Sequence, residues 1–180
     1  GEYMNYAQIR KYDVANGVGI RTTLFVSGCH FNCPGCFNKE YQDFSFGKEF
    51  TDEEMQKFID LGKNPSISGF SFLGGEPLDQ INDDTLLRTV KAIKEQTDKT
   101  IWLWTGHIFE NLNEKQIEII KYIDVLVDGK FVEELKSPDL LFRGSSNQRI
   151  IDVKKSLRAG ETIWLDGVWQ RKMGSGNIYE

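Results

Sequence analysis

Apolar and polar positions along the chain fall into blocks with two different periods. Residues 21–27, RTTLFVS, form a short apolar run that reads as a strand and stops at Gly28. Thr51-Asp52-Glu53-Glu54 is a capping-box pattern and predicts a helix over 51–61. Residues 67–73 alternate apolar side chains with Ser and Gly, a second strand ending at Gly74-Gly75. Leu86, Leu87, Val90 and Ile93 recur at helical spacing, which predicts an amphipathic helix over 82–97. Residues 100–105 read as a third strand, 113–122 as a helix carrying Ile117 and Ile120, and 124–127 as a short buried strand. A helical turn is expected near 132–135, another strand over 149–153, and a last strand pair at 163–165 and 168–169.

Strands that alternate with helices in this way suit right-handed βαβ units. The expected fold is therefore α/β, with a mainly parallel sheet of about six strands. Six are too few for a closed eight-stranded barrel, so a partial, open β/α barrel is expected. There is no internal repeat or low-complexity stretch, and residues 1–180 read as a single domain. Gly1-Glu2-Tyr3 precede Met4 and read as a remnant of cloning. In such folds chemistry collects at the carboxyl ends of the strands. The notable motifs sit there: Cys29 after the first strand, Gly74 after the second, Thr105 after the third and Asp128 after the fourth.

Composition narrows the function classes. Hydrophobic residues make up 39% and charged residues 27%, an ordinary balance for a folded soluble domain. A formal net charge of −5 lacks the basic footprint of a nucleic-acid binder. No apolar run approaches the roughly 20 residues of a membrane span, and no secretory signal pattern opens the chain. Three cysteines are present, all within 29–36. That is a poor disulfide framework, and a reducing cytoplasmic setting is expected.

The cysteine segment reads Cys29-His30-Phe31-Asn32-Cys33-Pro34-Gly35-Cys36. Thiolates are soft ligands that select zinc, Cu(I) or iron–sulfur clusters. Structural zinc wants four closed ligands; His30 or His107 could be the fourth, although His30 is awkward to aim from between two ligands. A three-cysteine iron–sulfur cube leaves one iron with an open position, through which a substrate can bind. Spacing alone leaves cluster, zinc and unligated thiols open. Gly28, Pro34 and Gly35 help a short loop turn. Gly74-Gly75 permits close backbone approach, and the carbonyls with Glu76 can accept from an ammonium; an ordinary strand-to-helix turn is the plain alternative. No G-x-S-x-G elbow or H-E-x-x-H motif occurs.

The C-x3-C-x2-C spacing after the first strand resembles the signature of the radical S-adenosylmethionine superfamily. Within it, residues from about 16 to 152 are similar to the activating proteins of anaerobic ribonucleoside-triphosphate reductases. The resemblance implies a 4Fe–4S cluster on Cys29, Cys33 and Cys36 and S-adenosylmethionine as second cofactor. It implies reductive cleavage to a 5′-deoxyadenosyl radical, which makes a glycyl radical on anaerobic ribonucleotide reductase. A low-potential electron donor is required. Activation of another glycyl-radical enzyme, such as pyruvate formate-lyase, is the near alternative; a non-catalytic zinc-binding module is the distant one.

Other segments extend the resemblance. Gly74-Gly75-Glu76-Pro77 is similar to the GGEP motif that receives the methionine amino group. Asn16-Gly17-Val18-Gly19-Ile20-Arg21-Thr22 resembles DGPGIRT, with Asn for Asp and Val for Pro. Thr105 stands where relatives contact ribose. Asp128-Gly129-Lys130 looks like a D-x-K motif, in which Lys130 meets the methionine carboxylate and Asp128 lies near a cation or the substrate. The alternative is a surface turn with a solvated lysine. The Phe142–Arg149 stretch resembles the reductase activators most, which implies Asn147, and with it Arg143, near the cofactor. Gly35 replaces the usual aromatic, so adenine contact would pass to Phe37 or to backbone. Phe31 and Phe37 form a candidate docking surface for the partner, with core packing as the alternative. Trp102, Trp104 and Trp164 are expected in the core, and His107 is expected to be a satisfied strand-end histidine.

Overall fold

The computed structural model describes residues 3–31, 33–36 and 39–167. The chain runs through β1 (Asn5–Asp13), β2 (Arg21–Val26), β3 (Lys48–Glu49) and α1 (Asp52–Gly62). It continues through β4 (Gly69–Gly74), α2 (Thr85–Gln96), β5 (Thr100–Trp104), α3 (Glu114–Ile120), β6 (Val125–Asp128), β7 (Arg149–Asp152) and α4 (Val153–Ala159).

The strands form one seven-stranded sheet in the order β3-β1-β2-β4-β5-β6-β7. Neighbours among β2, β4, β5 and β6 are parallel. The pairs β1–β2, β1–β3 and β6–β7 are antiparallel. The sheet is thus mixed rather than mainly parallel, and it is open, with β3 and β7 at its ends; the partial-barrel description gives way to an open mixed sheet. The cause lies in the connections. A parallel crossover needs a dozen or more residues and usually a helix. The 14–20 link between β1 and β2 is too short, and the 129–148 link before β7 carries only the 3₁₀ turn Glu133–Leu135. Both strands return antiparallel.

Strand alternation divides the buried side chains between two faces. Leu24, Val26, Phe70, Phe72, Ile101, Leu103, Leu126 and Ile151 pack with Phe58, Ile59, Leu86, Val90, Ile93 and Ile120 of the helices. Trp102, Val125, Val127 and Ile150 point the other way, where loop residues Val18, Phe142 and Leu165 cover them. Helices therefore shield one face, and loops close the other.

Local signals account for the helix starts. Thr51 caps α1 by accepting from the Glu54 amide at 3.3 Å. The reciprocal half of the expected box is missing, because Glu54 Oε2 instead accepts from the Tyr6 hydroxyl at 3.0 Å. Asn113 and Gln116 form the complete box on α3. Asp152 caps α4, and Gly160 ends it in the left-handed region. The strand expected at 163–165 is reduced to one bridge, Ile151 to Trp164, and 168–169 lies outside the described residues. Among the described residues no helix is long and apolar enough to cross a membrane.

Candidate functional site

The parallel register brings four strand ends together. Val26 pairs with Gly74, and Trp104 pairs with Val127. The cysteine loop, the Gly74-Gly75-Glu76 turn, Thr105-Gly106 and Gly129-Lys130 therefore leave the sheet side by side. They border a cavity of about 430 Å³ into which Cys29, Cys33, Cys36, Glu76, Lys130 and Arg143 all face.

The two glycines before Glu76 are required by the fold itself. Gly74 has φ +119°, and a Cβ there would come within 2.6 Å of the Val26 carbonyl. A Cβ on Gly75 would lie 2.6 Å from the Gly28 carbonyl and 2.5 Å from that of Tyr41. Their absence of side chains lets the turn dock under the cysteine loop, with the Glu76 amide donating to Gly28 O at 2.7 Å. Glu76 is buried. Its Oε2 accepts from Thr105 Oγ1 at 2.7 Å and the Leu78 amide at 2.8 Å, and Oε1 accepts from the Gly106 amide at 2.5 Å. Burial nonetheless pushes its carboxyl up to about 7, against the opposing pull of those donors. The Thr105 hydroxyl also accepts from the His107 amide at 3.0 Å, so this side chain orients Glu76.

The three cysteines are free and half-buried. Burial pushes the Cys29 thiol up to about 12 and raises Cys33 as well. Thiols held so high stay protonated near neutrality until metal cations displace the protons. Among the described residues no group of three His, Cys, Asp or Glu side chains is gathered as a single metal ion requires. A cluster does not need that convergence, since each thiolate bonds its own iron. His107 Nε2 lies 2.7 Å from Asp79, and His30 Nδ1 lies 3.3 Å from the same carboxylate. Both histidines considered as a fourth zinc ligand are thus turned to Asp79. The donor set fits an iron–sulfur cluster better than zinc.

Another part of the lining is cationic and aromatic. Lys130 Nζ sits 4.7 Å over the Phe31 ring. Arg143 donates to the carbonyls of Ser146 and Gln148 at 3.1 and 2.6 Å. Its buried Nε has no hydrogen-bond partner among the described residues, and burial lowers its pKa. Phe142 holds φ +62°, a sparsely populated region for a bulky residue. Its carbonyl accepts from Trp104 Nε1 at 2.6 Å, and its ring meets Trp102 edge-on at 5.3 Å.

Two residues expected near the cofactor stand behind this wall. Asp128 is fully buried, accepts from Arg149 Nε and Nη2 at 2.9 and 2.6 Å and from the Phe109 amide at 2.8 Å, and does not line the cavity. Asn147 is exposed and also outside the lining; it donates to the Lys130 carbonyl at 2.8 Å and accepts from Ser145 Oγ at 2.6 Å. Both brace the strap that carries Lys130. Trp102 is core as expected; Trp104 packs against the same cluster and also lines the cavity. Trp164 is 36% exposed beneath the Arg143 guanidinium, because its segment makes a single bridge rather than a strand. Phe31 is a half-buried wall residue, and Phe37 lies outside the described residues. Gln148 was not foreseen; its side-chain oxygen accepts from the amides of Gly144 and Ser145, and its nitrogen donates to Gly129 O. Asp79 was also missed, since no motif marks a carboxylate in a short turn.

Comparison with known proteins adds to this geometry. Residues 15–151 match the family model of a 4Fe-4S single cluster domain. The chain is 45% identical over 150 residues to the anaerobic ribonucleoside-triphosphate reductase-activating protein of Haemophilus influenzae, covering 82% of this chain and 97% of that one. It is 45% identical over 148 residues to the protein of the same name from Escherichia coli K12, covering 81% and 96%. The protein of that name from Enterobacteria phage T4 is 36% identical over 170 residues, covering 93% and 99%.

Proposed function

The chain belongs to the anaerobic ribonucleoside-triphosphate reductase-activating proteins, within the 4Fe-4S single cluster domain family, and from this premise we propose that it makes the glycyl radical of an anaerobic ribonucleotide reductase. Cys29, Cys33 and Cys36 would hold the 4Fe–4S cluster. When bound, it would supply one-electron chemistry, the reductive cleavage of S-adenosylmethionine to methionine and a 5′-deoxyadenosyl radical able to take a hydrogen atom from the partner's glycine. That electron comes from an external low-potential donor, because iron–sulfur potentials must lie far toward the bottom of their range for such a cleavage.

The chain's own residues bind, orient and shield. Glu76 and the neighbouring carbonyls accept from the methionine ammonium. Thr105 and the Gly106 amide hold Glu76 in the required orientation. Lys130 and Arg143 offer cationic partners to the methionine carboxylate, as charge-assisted pairing favours. Phe31, Trp104 and Phe142 give the cavity an apolar lining that limits water around a reactive radical. Asp128 and Asn147 act at one remove, through Arg149 and the Lys130 strap. A reducing cytoplasm, in which three free thiols persist, suits this chemistry.

One observation carries the reading: three thiols and a buried carboxylate face the same cavity at the ends of parallel strands. The test is anaerobic reconstitution with iron and sulfide, then dithionite and S-adenosylmethionine. 5′-Deoxyadenosine should form, and adding the reductase should give a glycyl-radical resonance. A well-loaded cluster that yields no 5′-deoxyadenosine would overturn the proposal.

A further inference from the structure

Asp79 closes the 3₁₀ turn Pro77–Asp79 directly after Glu76 and is 6% exposed. Its two oxygens face two different parts of the site. Oδ2 accepts from the His30 amide at 2.8 Å, and Oδ1 lies 2.7 Å from His107 Nε2. His30 follows Cys29 in the cysteine loop, whereas His107 follows the end of β5. The His107 ring then packs 4.8 Å from the ring of Phe31, the next residue along the loop. Beside it, Gln80 Nε2 donates to the Gly28 carbonyl at 3.1 Å, from the other side of Cys29. The loop is thereby held on both flanks of its first cysteine.

The charge at this position is itself unusual. Among the described residues no lysine or arginine lies within 4.0 Å of Asp79; its partners are an amide and two imidazoles. A nearly buried carboxylate without a full cation costs free energy that an apolar or amide side chain would avoid. The His30 amide that it holds belongs to the residue directly after Cys29.

We propose that Asp79 is a positioning residue for the cysteine loop, fixing the loop next to Cys29 against the end of β5 while keeping a carboxylate one residue from that cysteine. The redox consequence rests on the cluster reading above; the mechanical one does not. A reduced cluster carries one more negative charge than an oxidised one, so a neighbouring carboxylate disfavours the added electron and lowers the potential.

Two measurements on the full chain test this. In metal-free protein, amide hydrogen exchange at His30 should be at least tenfold faster in Asp79→Ala. It should stay within about threefold of wild type in Asp79→Asn, whose carbonyl can still accept from that amide. His107→Ala, which removes the second anchor, should speed the same amide severalfold and keeps the test decisive should Asp79→Ala fail to fold. Wild-type exchange in the folded variants overturns the positioning role. In reconstituted protein, Asp79→Asn should ease one-electron reduction about tenfold, a midpoint less negative by about 59 mV. An unchanged midpoint overturns the electrostatic role. Exchange needs no cluster, so it decides the positioning role even for a wild-type chain that takes up no iron, a result that would instead overturn the function proposed above.

Discussion

Thr105 donates its hydroxyl proton to Glu76 across 2.7 Å, tying the end of β5 to the turn after β4. The residue expected to meet the ribose is thereby committed to the residue expected to meet the ammonium. Thr105→Val keeps the shape and removes the donor from a buried carboxylate. A hydrogen bond to a charged group contributes about 1.5–3 kcal/mol. Urea unfolding of metal-free protein should report a loss of that order, and S-adenosylmethionine should bind about tenfold more weakly. Thr105→Ser should restore most of both. Wild-type stability and affinity in Thr105→Val would show that the contact does nothing.

Glu76 sets a pH dependence. Its folded value of about 7 lies above the ordinary carboxylate range because of burial. Folding therefore favours the protonated form. The associated stability is complete below the unfolded value of about 4.3 and is lost as pH rises through about 7. Binding an ammonium needs the ionised form, so S-adenosylmethionine affinity should rise between pH 6 and 8 with release of a proton. Calorimetry in two buffers of different ionisation heat measures that release. Glu76→Gln should flatten the profile, and an equally steep profile in that variant would assign the titration elsewhere.

Cys33 is half-buried and serves no packing cluster, so Cys33→Ala should leave the fold intact. Its iron content after reconstitution should fall, and cleavage of S-adenosylmethionine should drop below detection. Full activity in this variant would remove Cys33 from the ligand set.

The helix-covered core depends on Phe58. Its fully buried ring meets Phe50 at 5.9 Å, Phe70 at 5.3 Å and Phe72 at 5.7 Å. Phe58→Ala should cost about 3–5 kcal/mol and lower Tm by roughly 10 °C in a chain of this size. A change of only a degree or two would mean that the neighbouring rings collapse into the space.

Most elements were legible because their apolar residues keep one period. The helix after Thr51 and the strands around Phe70, Trp102 and Val125 announce themselves this way. β1 does not: it is largely polar, and breaks in register between Tyr6 and Gln8 and between Arg10 and Asp13 destroy its alternation. α4 was missed although Asp152 and Gly160 bracket it, because its first residue, Val153, also extends the preceding apolar strand. In the site, the cysteines, Glu76 and Lys130 carry motifs that can be read from the sequence, and they line one cavity. Asp79 was invisible, since its partners lie 49 and 28 residues away and only folding unites them. Asp128 was placed by motif but turned by a residue that the motif does not contain.

That residue is Arg149, and its grip on both oxygens of Asp128 has an effect beyond finishing the sheet. A carboxylate left loose at the end of β6 would spread negative potential toward Lys130, two positions on. With Arg149 as internal counterion, the chamber keeps the positive tone of Lys130 and Arg143. The strand that comes last in the sheet therefore neutralises, from outside the cavity, a charge that would otherwise compete with the lysine.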